Sequence, residues 1–162
     1  MTKELSERVL AIDAHPSSFG FAVLERPHRF VDWGARSFRR GVNAVKIPMR
    51  DKLAFLIAEY EPAFILVMRP RVNRSLRLAT ISRVARAHNV RVRIVSRKSI
   101  NGAFPDTRNK HELALAVANR MPTLSSYVPP RRKLWQHEHY RMTMFIAAAI
   151  ALIYFDRTPS AG

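Results

Sequence analysis

Apolar and polar positions along the chain follow a strand-like period first and a helical one later. Residues 8–14 (RVLAIDA) form a short apolar run that closes on Asp13 and Ala14, and His15-Pro16-Ser17-Ser18 then carries turn chemistry. Residues 19–25 (FGFAVLE) and 30–38 (FVDWGARSF) have strand-like content, and Arg26-Pro27 separates them. Consecutive strands with short connections predict an antiparallel meander. From Val42 to Tyr60 the apolar residues Val45, Leu53, Leu56, Ile57 and Tyr60 recur at helical spacing, with Pro48 near the start and Pro62 as the stop. Residues 63–68 (AFILVM) are apolar without a break, as in a strand buried on both faces. Asn73 to His88 predicts a second helix, with Leu76, Ala79, Ile81 and Val84 among arginines. Residues 90–95 (VRVRIV) alternate, so Arg91 and Arg93 project from one side of a strand.

Beyond this strand the chain turns helical. A short helical piece is expected near 97–104, a turn at Pro105-Asp106, and a helix from about Asn109 to Arg120. Pro122 and Pro129-Pro130 mark an ordered or semi-rigid loop, and the last helix runs from about His137 to Phe155. The apolar run from Met142 to Phe155, broken only by Thr143, is too short to span a bilayer and reads as a buried helix. No repeat or linker divides the chain. It reads as one domain over 1–162, with 1–6 and 157–162 as flexible ends.

Composition adds a constraint on partners. The 162 residues are 48% hydrophobic, which suits a packed core rather than a disordered chain. Lys and Arg number 28 against 12 Asp and Glu, a formal net charge of +16. A compact fold with that charge repels itself, and a polyanion such as nucleic acid offsets it. There is no cysteine, which excludes disulfides and Cys-based zinc sites. Met1 to Arg8 is polar, unlike a signal peptide, so a cytoplasmic protein with no membrane contact is expected.

The order of elements is three strands, helix, strand, helix, strand, then helices. VLAIDAHPSSFGFAVLE resembles the opening of RuvC-type Holliday-junction resolvases, in which a first strand ends in a metal-binding Asp and a Gly-containing strand follows. KLAFLIAEYEPAFILV looks like that family's first helix and fourth strand. TRNKHELALAVANRM resembles its Lys-containing stretch, with Lys110 in the lysine position, and MFIAAAIALIYF its small-residue final helix. The resemblance implies an α/β, ribonuclease H-like fold: a mixed five-stranded sheet, an antiparallel meander of three strands plus two parallel strands, flanked by helices.

It also implies carboxylates that hold two divalent metals across a scissile phosphate, since two close cations need several anionic oxygens. Asp13 matches the first acid. The second belongs at the end of the fourth strand, where this chain has Val67-Met68-Arg69-Pro70, and no acid occurs between Glu61 and Asp106. The final-helix acids fall where this chain has Ile146 and, one turn earlier, Thr143. Glu138 is the acid nearest the start of that helix, eight residues from Ile146 or about 12 Å along a helix axis. Asp13 and Glu138 are therefore the candidate catalytic and metal-binding residues, with Mg²⁺ or Mn²⁺ as the cofactor if the protein is an active endodeoxyribonuclease of the crossover-junction type. His15 shares a strand face with Asp13, and His137 and His139 flank Glu138. These residues form either a site for one transition metal or a solvated first helical turn.

The candidate nucleic-acid contacts are Arg69, Arg71, Arg74, Arg77, Arg83, Arg86, Arg97, Lys98 and Lys110, with Arg131, Arg132 and Lys133 beside Trp135. Arginine suits phosphate because its planar fork bonds two oxygens at once. Arg36, Arg39 and Arg40 form a further basic group, and Trp135, Phe104 and Tyr127 are candidate stacking residues. Three functions fit: a RuvC-like protein that binds branched DNA or structured RNA with its nuclease centre lost or reduced, an active structure-specific endonuclease, or a basic subunit of a nucleoprotein assembly. A homodimer is compatible with each.

Overall fold

The computed structural model describes residues 7–15, 18–25, 29–37, 49–69, 75–131, 133 and 141–157; of 18, 36, 37, 75–77 and 157 it describes the backbone alone. Five strands form one sheet in the order β3-β2-β1-β4-β5. They are β1 (Val9–Ala14), β2 (Ser18–Glu25), β3 (Arg29–Ser37), β4 (Phe64–Met68) and β5 (Arg91–Val95). β1, β2 and β3 pair antiparallel, while β4 pairs parallel with both β1 and β5. This is the mixed sheet expected from the sequence. The central strands β1 and β4 are buried along nearly their whole length, which explains their unbroken apolar runs.

Helices cover both faces. α1 (Met49–Tyr60) and α2 (Ser75–Ala87) pack on one side, where Leu10, Ile12, Phe21, Ile65 and Val67 meet Leu53, Leu56 and Ile81. On the other side lie α3 (Arg97–Ala103), α4 (Lys110–Arg120), a 3₁₀ turn over Pro122–Tyr127, and α5 (Met142–Arg157). Every residue of α5 from Met142 to Ile153 is buried, so the helix is apolar all round. No helix among the described residues is long and apolar enough to cross a membrane.

Local chemistry sets the helix ends. α2 stops at Asn89, whose φ of 56° is the left-handed conformation asparagine tolerates. The Val90 amide bonds the Ala85 carbonyl and the Asn89 amide bonds the Arg86 carbonyl, which closes a Schellman turn into β5. At the start of α4 the Asn109 side chain accepts the Glu112 amide, and the Glu112 carboxylate reaches back to the Arg108 amide.

Several expectations shift. The last helix begins at Met142, and residues 137–140 lie outside the described set, as do 42–48 of the first expected helix and 73–74 of the second. The proline-marked loop contains a 3₁₀ turn with Pro122 in its first turn. Of the ends expected to be flexible, Arg157 belongs to α5 and the others lie outside the described residues. In β5 the apolar Ile94 is half exposed, as this strand is the sheet edge. Arg93 keeps its place on one side of that strand by lying over the Phe64 ring, 4.2 Å from its centroid.

Candidate phosphate-facing site

Asp13 occupies the carboxyl end of β1. Side chains alternate along a strand, and Val9 and Ala11 face the α5 layer, so Asp13 faces it too. It is 3% exposed. A buried carboxyl group is costly unless hydrogen-bonded, and here His15 supplies a partner: its Nε2 lies 2.8 Å from Asp13 Oδ2, within hydrogen-bond distance. The structure thus brings together the Asp13–His15 pair that strand alternation suggested.

Gly20 stands opposite Asp13 on β2. It has to be glycine, because a Cβ there would lie 2.2 Å from the Thr143 carbonyl carbon and 2.3 Å from the Met144 nitrogen. The bare backbone lets the first turn of α5 rest on the sheet beside Asp13, and buries Thr143. On the other flank β1 pairs with β4, Ile12 opposite Val67. One step further along both strands, Met68 is the register neighbour of Asp13, on the same face of the sheet. Ile146, one turn after Thr143 on α5, faces Met68 across a pocket.

That pocket encloses about 220 Å³ between the end of β4, α3, the loop before α4, and α5. Its apolar floor is Met68, Ile100, Leu113 and Ile146. Its walls carry Arg97, Arg108 and Lys110, with Asn101, Thr107 and Asn109, and among the described residues no carboxylate lines it. Arg97 Nε is buried with no hydrogen-bond partner among the described residues. Glu112, which follows Lys110 by two, directs its carboxylate to the Arg108 amide instead.

The described residues of this corner fit divalent metals poorly. A metal pair needs several anionic oxygens. Met68 and Ile146 offer none, and among the described residues no group of three or more His, Asp or Glu side chains could hold a metal ion. Glu138, the second candidate metal-binding and catalytic residue, lies outside the described residues together with His137 and His139.

The candidate nucleic-acid contacts separate into two layers. Arg97, Lys98 and Lys110 sit on α3 and α4, and Arg97 and Lys110 line the pocket. Arg69, exposed, follows β4 directly, its amide bonded to the Val95 carbonyl. Arg131 and Lys133 are exposed beyond the 3₁₀ turn. Arg83 and Arg86 are exposed on α2, which covers the opposite side of the sheet, so they do not join the pocket cations. Arg71, Arg74 and Arg132, the side chains of Arg77 and Arg36, and all of Arg39, Arg40 and Trp135 lie outside the described set. Phe104 is a core residue and not a stacking surface. Tyr127 is 38% exposed, edge-on to Trp33. Arg108, Asn101 and Thr107 were not among the candidates, although Thr107 and Arg108 fall in the stretch TRNKHELALAVANRM that carried Lys110.

Comparison with known proteins finds similarity in structure alone. No protein-family model matches the chain, and no curated protein matches it by sequence. Among solved structures it is similar to Thermus thermophilus RuvC in complex with a Holliday junction substrate, at TM-score 0.63 and 16% identity over 91% of each chain. A second Thermus thermophilus RuvC structure matches at TM-score 0.61 and 13% identity, over 91% of this chain and 94% of that one. The yeast mitochondrial Holliday junction resolvase Ydc2 matches at TM-score 0.51 and 14% identity, over 93% of this chain and 79% of that one. The chain therefore has the ribonuclease H-like fold of the RuvC-type Holliday junction resolvases.

Proposed function

We propose that this protein binds branched DNA through the α3–α4–α5 side of its sheet, and that its nuclease centre is reduced. The observation that carries the reading is the pocket beside Asp13, where cations and apolar side chains meet and, among the described residues, no carboxylate does. In the resemblance, acids at the places of Met68 and Ile146 would hold metal against the scissile phosphate. With methionine and isoleucine there, Asp13 and its His15 partner are left without the negative charge that a metal pair requires. The positive charge, by contrast, is ample. The fold it shares with a RuvC bound to a Holliday junction substrate supports a branched substrate over a plain strand.

The test is fluorescence anisotropy with a labelled four-way junction across a salt series. Contacts from Arg69, Arg97, Lys98, Lys110, Arg131 and Lys133 predict a loss of affinity of about 10³-fold between roughly 50 and 200 mM salt. Affinity that is flat with salt, or equal for junction and plain duplex, would overturn the binding half. The same junction is then incubated with Mg²⁺ or Mn²⁺. Specific cleavage that disappears in Asp13→Asn would overturn the reduced-centre half and leave an active endonuclease.

A further inference from the structure

We infer that the pocket between Met68 and Ile146 grips one phosphodiester group directly, with Arg97, Arg108 and Lys110 in the role that divalent ions would otherwise play. The inference takes only the source of the phosphate, a nucleic acid strand, from the function proposed above.

Three observations converge. First, the pocket gathers cationic side chains from three separate segments, α3, the following loop and the first residue of α4, and its lining among the described residues includes no acid. Like charges held together are relieved by an anion and repel a further cation, so the pocket favours phosphate and disfavours Mg²⁺. Second, Arg97 Nε is buried without a partner among the described residues. A buried donor of this kind is uncommon in folded proteins and marks a position where an acceptor oxygen is expected. Arginine's fork can bond two phosphate oxygens at once, and the unsatisfied Nε is one tine of that fork. Third, a cavity of about 220 Å³ is smaller than the roughly 300–1,000 Å³ of sites built for whole small molecules. It suits a phosphate with part of its sugar, on an apolar floor of Met68, Ile100, Leu113 and Ile146. The amino end of the 11-residue helix α4 opens at Lys110 and adds its positive dipole end.

A divalent ion and an arginine do different things for a phosphate. The ion draws electrons from the ester oxygen and activates water. The guanidinium neutralises and orients, and at pH 7 gives up no proton. A phosphate held this way is anchored and is left uncut.

The experiment is calorimetric titration of the full chain in EDTA with three probes: thymidylyl-thymidine, which has one internal phosphodiester, inorganic phosphate, and thymidine. We expect thymidylyl-thymidine to bind and thymidine not to. Arg97→Gln and, separately, Arg108→Gln should each weaken thymidylyl-thymidine at least tenfold; Arg108 is exposed, so its variant leaves the fold intact even if the first does not. Met68→Glu should weaken it at least tenfold in EDTA. Binding that requires Mg²⁺, or that survives both arginine variants unchanged, overturns the inference. So does binding of inorganic phosphate with none of the dinucleotide, which would assign the pocket to a free anion. The failure of either idea is distinguishable. Loss of the pocket effect with salt-sensitive junction binding intact sinks only the phosphate grip, and dinucleotide binding without junction preference sinks only the branched-DNA reading.

Discussion

Replacing Gly20 by alanine should cost more stability than any other single methyl added to this sheet. A Cβ at Gly20 falls 2.2 Å from the Thr143 carbonyl carbon, 2.3 Å from the Met144 nitrogen and 2.5 Å from the Thr143 oxygen. All three are backbone atoms of a helix, so no side chain can swing aside. Restoring an ordinary contact near 3.4 Å means moving the first turn of α5 outward by about 1 Å. A radial gap of ~0.5–1 Å already forfeits about a quarter to a half of each dispersion contact, and this turn is buried from Met142 onward. Overpacking typically costs ~1–3 kcal/mol; with backbone as the obstacle we expect the upper end, about 3 kcal/mol. For a urea slope of ~2 kcal/mol per molar, the unfolding midpoint should fall by roughly 1.5 M. Gly102→Ala is the control. It lies in α3 with nothing within 4 Å of the new methyl, so ordinary helix propensity should raise stability by up to ~1 kcal/mol. A Gly20→Ala protein within about 0.5 kcal/mol of wild type would refute the close approach of α5 to β2, and with it the placement of Thr143 beside Asp13.

Two further outcomes follow from local chemistry. Asn109→Ala removes the cap that accepts the Glu112 amide and should cost about 1 kcal/mol in urea unfolding, with Asn109→Asp close to neutral; equal losses in both would show that the cap contributes nothing. The Tyr60 hydroxyl donates to Asp32 Oδ2 at 2.5 Å, and that bond, aided by burial and the Asp32 charge, pushes its pKa up to about 12. A raised folded-state pKa means that the stabilisation is fully present below the ordinary value of 10.0 and is lost as pH rises through about 12. Thermal melts should therefore fall between those pH values in the wild type, and Tyr60→Phe should flatten that fall while costing about 1.5 kcal/mol at neutral pH. An unchanged profile in the variant would assign the alkaline loss to other groups.

The elements most legible in the sequence were those whose burial is complete. β1, β4 and α5 read directly because every position in them, or nearly so, faces protein, and an unbroken apolar run is costly anywhere that water reaches. The exposure of Ile94 was not legible because alternation in VRVRIV describes one strand and says nothing about whether a neighbour lies beyond it; among the described residues β5 has none. The placement of the arginines was not legible for a related reason. Helical spacing places Arg83 and Arg86 on one face of α2, but which side of the sheet α2 covers depends on how the chain crosses between β4 and β5. Asp13 was recognisable from its strand end and its resemblance. Arg108 was not, since it enters the pocket only because α3 and α4 fold the intervening loop back against Met68.

The position of α5 in the chain has a consequence for how the protein is made. It follows all five strands in sequence, yet it covers the central ones and closes the larger of the two cores. Roughly sixty residues separate the end of β5 from the end of α5, and at ~5–20 residues per second a ribosome needs about 3–12 s to produce them. For that interval the sheet face bearing Val9, Ala11, Ala22 and Leu66 has no cover from this helix. The nascent chain therefore presents an apolar sheet face at the stage when strongly basic polypeptides also meet cellular RNA. Premature termination before Met142 would leave that face open for good, and such fragments should aggregate rather than persist as smaller folded domains.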